Sequence, residues 1–261
     1  MILRPYGVVL GGSLEVGLEL VVEGGTIAEI RPHTGLPEPW IASAPFVNGH
    51  SHLEYRGLQD ELCEGDYWPW IREITRRKTL QSPDQVIADC LRAAQENRAT
   101  GVGWIAEHAD RPGAAAALAA TGIQGALFQE LITFYEQASP AEKLQSVEAR
   151  LDENRQLFQG RHGVALHAAY TVDEATLASF AAKDVALSIH VAEHPDERVF
   201  FEDGRGAIAD FYRSNGFEPR QVGMSPTRYL ASLGLLRKTT QLAHVCDVDD
   251  ADLRAIAESG A

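Results

Sequence analysis

The chain has 261 residues, 45% hydrophobic and 23% charged, which is enough to bury a large core and allows one α/β domain or two smaller ones. Its formal charge of −14, with no Lys/Arg-rich stripe to offset it, repels a phosphate backbone and argues against nucleic acid as a partner. No apolar run approaches the roughly 20 residues that span a bilayer, and "MILRPYGVVLGG" lacks a signal-peptide pattern, so no membrane partner and a cytoplasmic location are expected.

Residues 1 to 43 read as short strands. "LELVVEGGTIAEI" alternates apolar and polar residues around Gly24-Gly25, a favoured two-residue hairpin turn. From residue 44 the texture changes to short apolar runs separated by longer helical patterns, as expected for repeated βα units and a parallel sheet. The expected strands are 44–50, 101–109, 123–131, 163–170, 184–191 and 239–245. Between them, Ser-Pro and Asp caps and helix-period apolar residues mark helices at "PDQVIADCLRAAQENRATG", the Ala-rich 113–120, "SPAEKLQSVEARLDENRQLF" and "TVDEATLASFAAK". Residues 195–238 are too long for one crossover helix and are expected to hold extra ones, the last at "SPTRYLASLGLL".

Six parallel strands fit an open doubly wound sheet or part of an eight-stranded barrel, and periodicity does not choose between them. The final "VDDADLRAIAESGA" is a helix followed by a single alanine where another strand would begin. The expectation is a barrel cut off before its last strands, with unpaired edges on its first and sixth strands.

Cys63, Cys90 and Cys246 are far apart and form no C-x-x-C, which suits reduced thiols and argues against a zinc ribbon or a zinc site on a P-C-x-x-C loop. No nucleophile elbow, phosphate-binding loop or dinucleotide fingerprint is present. The apolar cluster Trp68, Trp70 and Ile71 reads as core, with a pocket wall as the alternative.

The histidines carry the chemistry. His50 and His52 end the first barrel strand, His167 and His190 fall late in the fourth and fifth, and His244 ends the sixth. That edge is where strand-to-helix loops converge and ligands bind. A bare H-x-H reads most simply as two exposed loop residues. Yet residues i and i+2 of a strand share a face, so both imidazoles can reach one cation. His190 stands in an otherwise apolar strand, and Glu193 three residues later is placed to move a proton of an activated water. His108 is a weaker candidate, and His33, His162 and His194 read as loop or surface residues.

With these residues in hand, the chain resembles the amidohydrolase superfamily, in its branch of cytosine-deaminase-like and chlorohydrolase-like enzymes. The marks are "PFVNGHSHLEY", "HAAYTV", "IHVAEHPDE" and "LAHVCDVDDADLRAIAESGA", in that order after an N-terminal β-layer. "YWPWIREI", "IHVAEHPDE" and "SPTRYLASLGLL" look most like the aminodeoxyfutalosine deaminases of menaquinone biosynthesis, although Ala169 stands where the branch usually has proline. The resemblance implies a (β/α)8 barrel, incomplete here over 44–261, with residues 1–43 forming part of a small β-sandwich built from both ends of the chain. It implies His50, His52 and His190 as ligands of one divalent metal, zinc ahead of ferrous iron, with Glu193 as proton shuttle and His244 polarising water or substrate. A final aspartate ligand is expected at the end of an eighth strand, beyond residue 261.

The implied reaction is hydrolytic deamination of a small-molecule substrate with an adenine-type ring. Water activated by the metal, its pKa lowered toward ~7, attacks the amine-bearing carbon while Glu193 protonates the adjacent ring nitrogen. Glu54 and Tyr170 are implied to line the pocket and His167 to contact the ribose or its substituent. The alternatives are guanine, S-adenosylhomocysteine or an s-triazine as substrate, or a non-catalytic fragment. The 261-residue chain alone is expected to associate and to be inactive, and a homodimer is allowed for a full-length form.

Overall fold

The computed structural model describes residues 1–58, 65–134 and 138–261. Cys63 lies outside the described residues. The chain folds as two compact units, Met1–Phe46 and Val47–Ala261.

The first unit is all β: β1 (Ile2–Leu3), β2 (Pro5–Leu10), β3 (Ser13–Val16), β4 (Leu18–Glu23), β5 (Thr26–Pro32) and β6 (Glu38–Ala42). They form two three-stranded sheets ordered β1-β4-β5 and β3-β2-β6. β4 and β5 pair antiparallel through Gly24 and Gly25, both at positive φ, 57° and 81°. Two consecutive left-handed residues make the turn whose twist matches the flanking strands. Glu19 is fully buried in this unit and accepts hydrogen bonds from Arg4, Arg31 and Thr34.

The second unit is built on six parallel strands: β7 (Phe46–Ser51), β8 (Val102–Ala109), β9 (Gln124–Leu131), β10 (Arg161–Ala168), β11 (Ala186–Val191) and β12 (Thr240–His244). Their spatial order is their chain order, β7 to β12 without a break. A doubly wound sheet reverses direction at a switch point, so this order selects the barrel-type winding. The sheet curls far enough for the Gln241 amide on β12 to donate to the Gly49 carbonyl on β7.

Helices α1 (Tyr67–Lys78), α2 (Pro83–Ala99), α3 (Ala114–Thr121), α4 (Pro140–Leu157), α5 (Glu174–Ser179), α6 (Pro195–Asp203), α7 (Gly206–Ser214), α8 (Pro226–Ser232) and α9 (Asp250–Ser259) connect and follow the strands. Ser82, Ser139, Asp173, Ser225 and Asp249 each accept a backbone N–H at a helix start, which satisfies donors the first turn leaves unpaired. The expected extra helices between 195 and 238 are α6, α7 and α8. None of the helices among the described residues is long and apolar enough to cross a membrane.

Strands covered on both faces are apolar along their length. Residues 125–131 of β9 are all buried, and so are Leu187, Ile189 and Val191 of β11. Gly125 has φ +151° and packs so tightly on β8 that a Cβ there would strike the Ile105 carbonyl. α6 and α7 close one side with Phe200, Phe201 and Tyr212, all fully buried. Charged residues are rare in such strands, which makes Glu107, Glu130 and His108, all buried, stand out.

Candidate metal and proton-transfer site

The C-terminal ends of β7, β10, β11 and β12 bring five imidazoles together. The His50 ring centroid lies 4.9 Å from His52, 4.9 Å from His190 and 5.3 Å from His244. His167 on β10 packs 4.9 Å from His190 and holds Thr171 Oγ1 at 2.9 Å through Nδ1. His108 on β8 sits 4.3 Å from His50, with Nε2 2.6 Å from Ser188 Oγ. It belongs to the cluster, although its place in the sequence ranks it below the histidines at the strand exits.

Ring nitrogens of His50, His190 and His244 all lie within 4.8 Å of one another, and so do ligand atoms of His52, Glu130 and His190. His190 is common to both groups. Its Nδ1 donates to the His167 carbonyl at 2.7 Å, which leaves Nε2 as the lone-pair nitrogen, 3.3 Å from His52 Nε2. Donation of the second ring N–H to a carbonyl is how metal-binding histidines are commonly oriented. Two nitrogens on a tetrahedral zinc at ~2.0–2.1 Å would lie ~3.3 Å apart.

Burial, reinforced by neighbouring imidazoles, holds His50 and His167 at about 4 and His108 at about 3, with His52 and His190 also well below the ordinary value. These five are therefore neutral near pH 7, the form that ligates. His50 Nδ1, His52 Nδ1, His108 Nδ1 and both Glu130 carboxylate oxygens are buried without a hydrogen-bond partner. Burying so many unpartnered polar atoms is costly unless a cation uses some of them. The donor set, imidazole nitrogens with a carboxylate at hand, suits zinc or ferrous iron.

Glu193 follows β11 and faces His244, with Oε2 3.5 Å from Nε2. The backbone there is unusual. Ala192 has φ 53°, His244 φ 73° and Val245 φ 54°, all left-handed without being glycine. These sharp exits turn the Glu193 and His244 side chains toward the cluster instead of continuing the strands. The two exits are also tied together. Val245 N–H donates to the Val191 carbonyl at 3.0 Å, and the Cys246 and Asp247 N–H groups donate to the Ala192 carbonyl at 2.8 and 3.0 Å. Tyr67, at the start of α1, hydrogen-bonds Glu193 and Tyr170, and burial together with the Glu193 charge pushes its phenol up. Its ring stacks on His194 at 4.6 Å, while Trp68 donates to Asp196, so the aromatic cluster grips the β11–α6 turn as well as the core.

The remaining expected residues are placed differently. Tyr170 follows β10 and its carbonyl accepts from Tyr212 at 2.6 Å. Glu54 is buried and turned to the far side of the H-x-H turn, accepting the Arg111 N–H at 2.9 Å with Lys78 Nζ 3.8 Å away. Lys78 in turn bonds the Tyr55 hydroxyl at 2.9 Å and Asp110 at 3.2 Å, and the Tyr55 ring stacks on His52. Lys78, Tyr55, Tyr67, Glu107 and Glu130 are site neighbours that the sequence reading does not single out. A carboxylate inside an apolar strand, as in "WIAEHA" and "LFQEL", is the available signal for two of them.

No family model matches the chain. Among curated proteins it is similar to the aminodeoxyfutalosine deaminase of Deinococcus radiodurans, 29% identical over 273 aligned positions that take in 96% of this chain and 63% of that protein. Among solved structures, the Helicobacter pylori aminofutalosine deaminase superposes with a TM-score of 0.79 at 20% identity, covering 99% of this chain and 66% of that one. The chain shares its fold with these deaminase structures. An adenosine deaminase from Xanthomonas campestris, solved with bound zinc, matches at a TM-score of 0.77 and 20% identity, covering 99% of this chain and 60% of its own. The chain spans less than two thirds of the length of each of these proteins.

Proposed function

We propose that the cluster is the metal centre of a hydrolytic deaminase acting on an adenine-type nucleoside, with aminodeoxyfutalosine as the preferred substrate. The observation that carries this reading is the Glu193 carboxylate 3.5 Å from His244, at the rim of a set of neutral imidazoles. A purely structural cation site has no use for that carboxylate. The similarity to aminodeoxyfutalosine deaminase supports the substrate, and the zinc-bound neighbour supports the ion.

In this reading His50, His52 and His190 hold the divalent ion, zinc ahead of ferrous iron. When bound, the ion supplies the Lewis acidity that makes water nucleophilic at neutral pH. Glu193 Oε2 takes the proton that the attacking water loses and delivers it to the ring nitrogen beside the amine-bearing carbon. A second transfer through Glu193 protonates the amine, which leaves as ammonia, and the ring carbon becomes a carbonyl. His244 Nε2 holds the attacking oxygen in line with that carbon. His167 and Tyr170, beside His190 and Tyr67, face the nucleoside. The part of Glu54 is indirect: it anchors Lys78, whose bond to Tyr55 steadies the ring stacked on His52.

The test is ammonia release by the metal-loaded natural protein that contains this sequence, offered aminodeoxyfutalosine, 5′-deoxyadenosine, methylthioadenosine, S-adenosylhomocysteine, guanine and an s-triazine. Highest kcat/KM on aminodeoxyfutalosine is expected. Turnover confined to guanine or the triazine would replace the nucleoside reading, and no turnover of any compound would remove it.

A further inference from the structure

Glu197 sits in the first turn of α6 and is 2% exposed. Its carboxylate reaches backward, accepting the Ala192 N–H at 3.1 Å through Oε2 and the Glu193 N–H at 2.8 Å through Oε1. An acidic residue at the third helical position ordinarily folds back onto the N-cap N–H. The N-cap here is His194, whose own side chain accepts from Asp196 N. Besides the His194 backbone, Glu197 binds the two preceding peptides. One of these belongs to Ala192, held at φ 53°, a conformation that a residue with a Cβ adopts only when its surroundings impose it.

We propose that Glu197 is a positioning residue for the proton-transfer step: by clamping the Ala192 and Glu193 amides it keeps the left-handed exit of β11 and thereby aims the Glu193 carboxylate at His244. This rests on Glu193 being the proton carrier. Glu197 touches neither substrate nor ion. Its two carboxylate oxygens are both used on the backbone, so the geometry leaves it no separate catalytic task. The carboxylate acts as a brace for two bonds that no neighbouring strand supplies, since the peptides it binds lie beyond the end of β11.

The experiment compares Glu197→Gln with Glu193→Gln in the metal-loaded protein. In Glu197→Gln the side-chain amide keeps one acceptor and turns a donor toward the second peptide N–H. Faster hydrogen exchange at the Ala192 and Glu193 amides is expected, with kcat lower by about 10–100-fold, KM within about twofold and metal content unchanged. Ala192→Gly added to Glu197→Gln should recover part of the lost kcat, because glycine takes φ near 53° without a Cβ penalty. A helix brace with no bearing on the reaction would lower thermal stability and leave kcat untouched, and that result overturns the proposal. Unchanged exchange at the two amides overturns it independently of any activity. If Glu193→Gln itself remains fully active, the reading of the reaction fails, whatever Glu197→Gln does to exchange. Should Glu197→Gln not fold, Glu197→Asp is read in its place, where the shorter carboxylate is expected to give a smaller loss of kcat and intermediate exchange, and wild-type values of both overturn the proposal.

Discussion

Nε2 of His52 lies 3.3 Å from Nε2 of His190, and the other ring nitrogen of His190 is already donating to the His167 carbonyl. Without a cation a neutral His52 can donate its Nε2 proton across that gap, and a cation held by both nitrogens replaces this one weak contact with two ligand bonds. Added zinc is therefore expected to raise the melting temperature. Metal at 100 times its Kd contributes about 2.7 kcal/mol to stability, which corresponds to several degrees in a chain of this size. His190→Ala should abolish the shift. An unchanged melting curve with zinc, or an equal shift in His190→Ala, would count against this centre.

Glu193→Gln keeps the size of the side chain and removes its ability to carry a proton. A general acid–base group contributes about 10²–10⁴-fold in rate, and a loss of that order in kcat is expected with metal content unchanged. Loss of the metal along with activity, seen by elemental analysis, would instead make Glu193 a ligand.

The first unit has its own pH response. Hydrogen bonding from Arg31, outweighing burial and joined by Thr34 and Arg4, lowers the Glu19 carboxyl from 4.5 to about 2. Its folded value is depressed, so its contribution to stability is complete above pH 4.5 and disappears as the pH falls toward 2. In Glu19→Gln the strands of residues 1–46 should lose that dependence and be less stable at pH 7. Carbon-detected titration of the Glu19 carboxyl by NMR checks it, and a midpoint at the ordinary value refutes it.

Asp252 on α9 is fully buried, accepting Arg198 at 2.7 Å, Arg228 at 3.0 Å and the Ser225 hydroxyl. Burial pushes its carboxyl up, yet these donors outweigh it and hold it below the ordinary range. Asp252→Ala leaves two guanidinium groups and a capping hydroxyl without their shared acceptor, and breaking such a pair costs about 3 kcal/mol. A urea midpoint within error of the wild type would show that α6, α8 and α9 do not depend on it.

The barrel strands were legible because parallel strands covered on both faces are short apolar runs. "DVALSIHV" and "TTQLAHV" became β11 and β12 with ends displaced by no more than two residues. Their order was not legible, since it depends on which edges pair across long gaps, and only the register of β7 to β12 selects a barrel-type winding. The strand-exit histidines were visible by position. Glu130 was not, and His108 only as a weaker candidate, because a polar residue inside a buried run looks the same whether it is satisfied by a neighbour or left to face a site. The placement of Glu54 went the other way. Its nearness in sequence to His52 suggested the pocket, but the short 3-10 turn Leu53–Leu58 rotates its side chain toward Lys78 and Arg111.

The bonds from Cys246 and Asp247 to the Ala192 carbonyl make the exits of β11 and β12 a single mechanical piece. Changes at Glu193 and His244 are therefore not independent in free energy. A double-mutant cycle between them should show a coupling term well beyond the ~0.3–0.5 kcal/mol found for separate sites. The same linkage means that a substitution repacking one strand exit alters the aim of the other, so the two loops can change in chemistry only together.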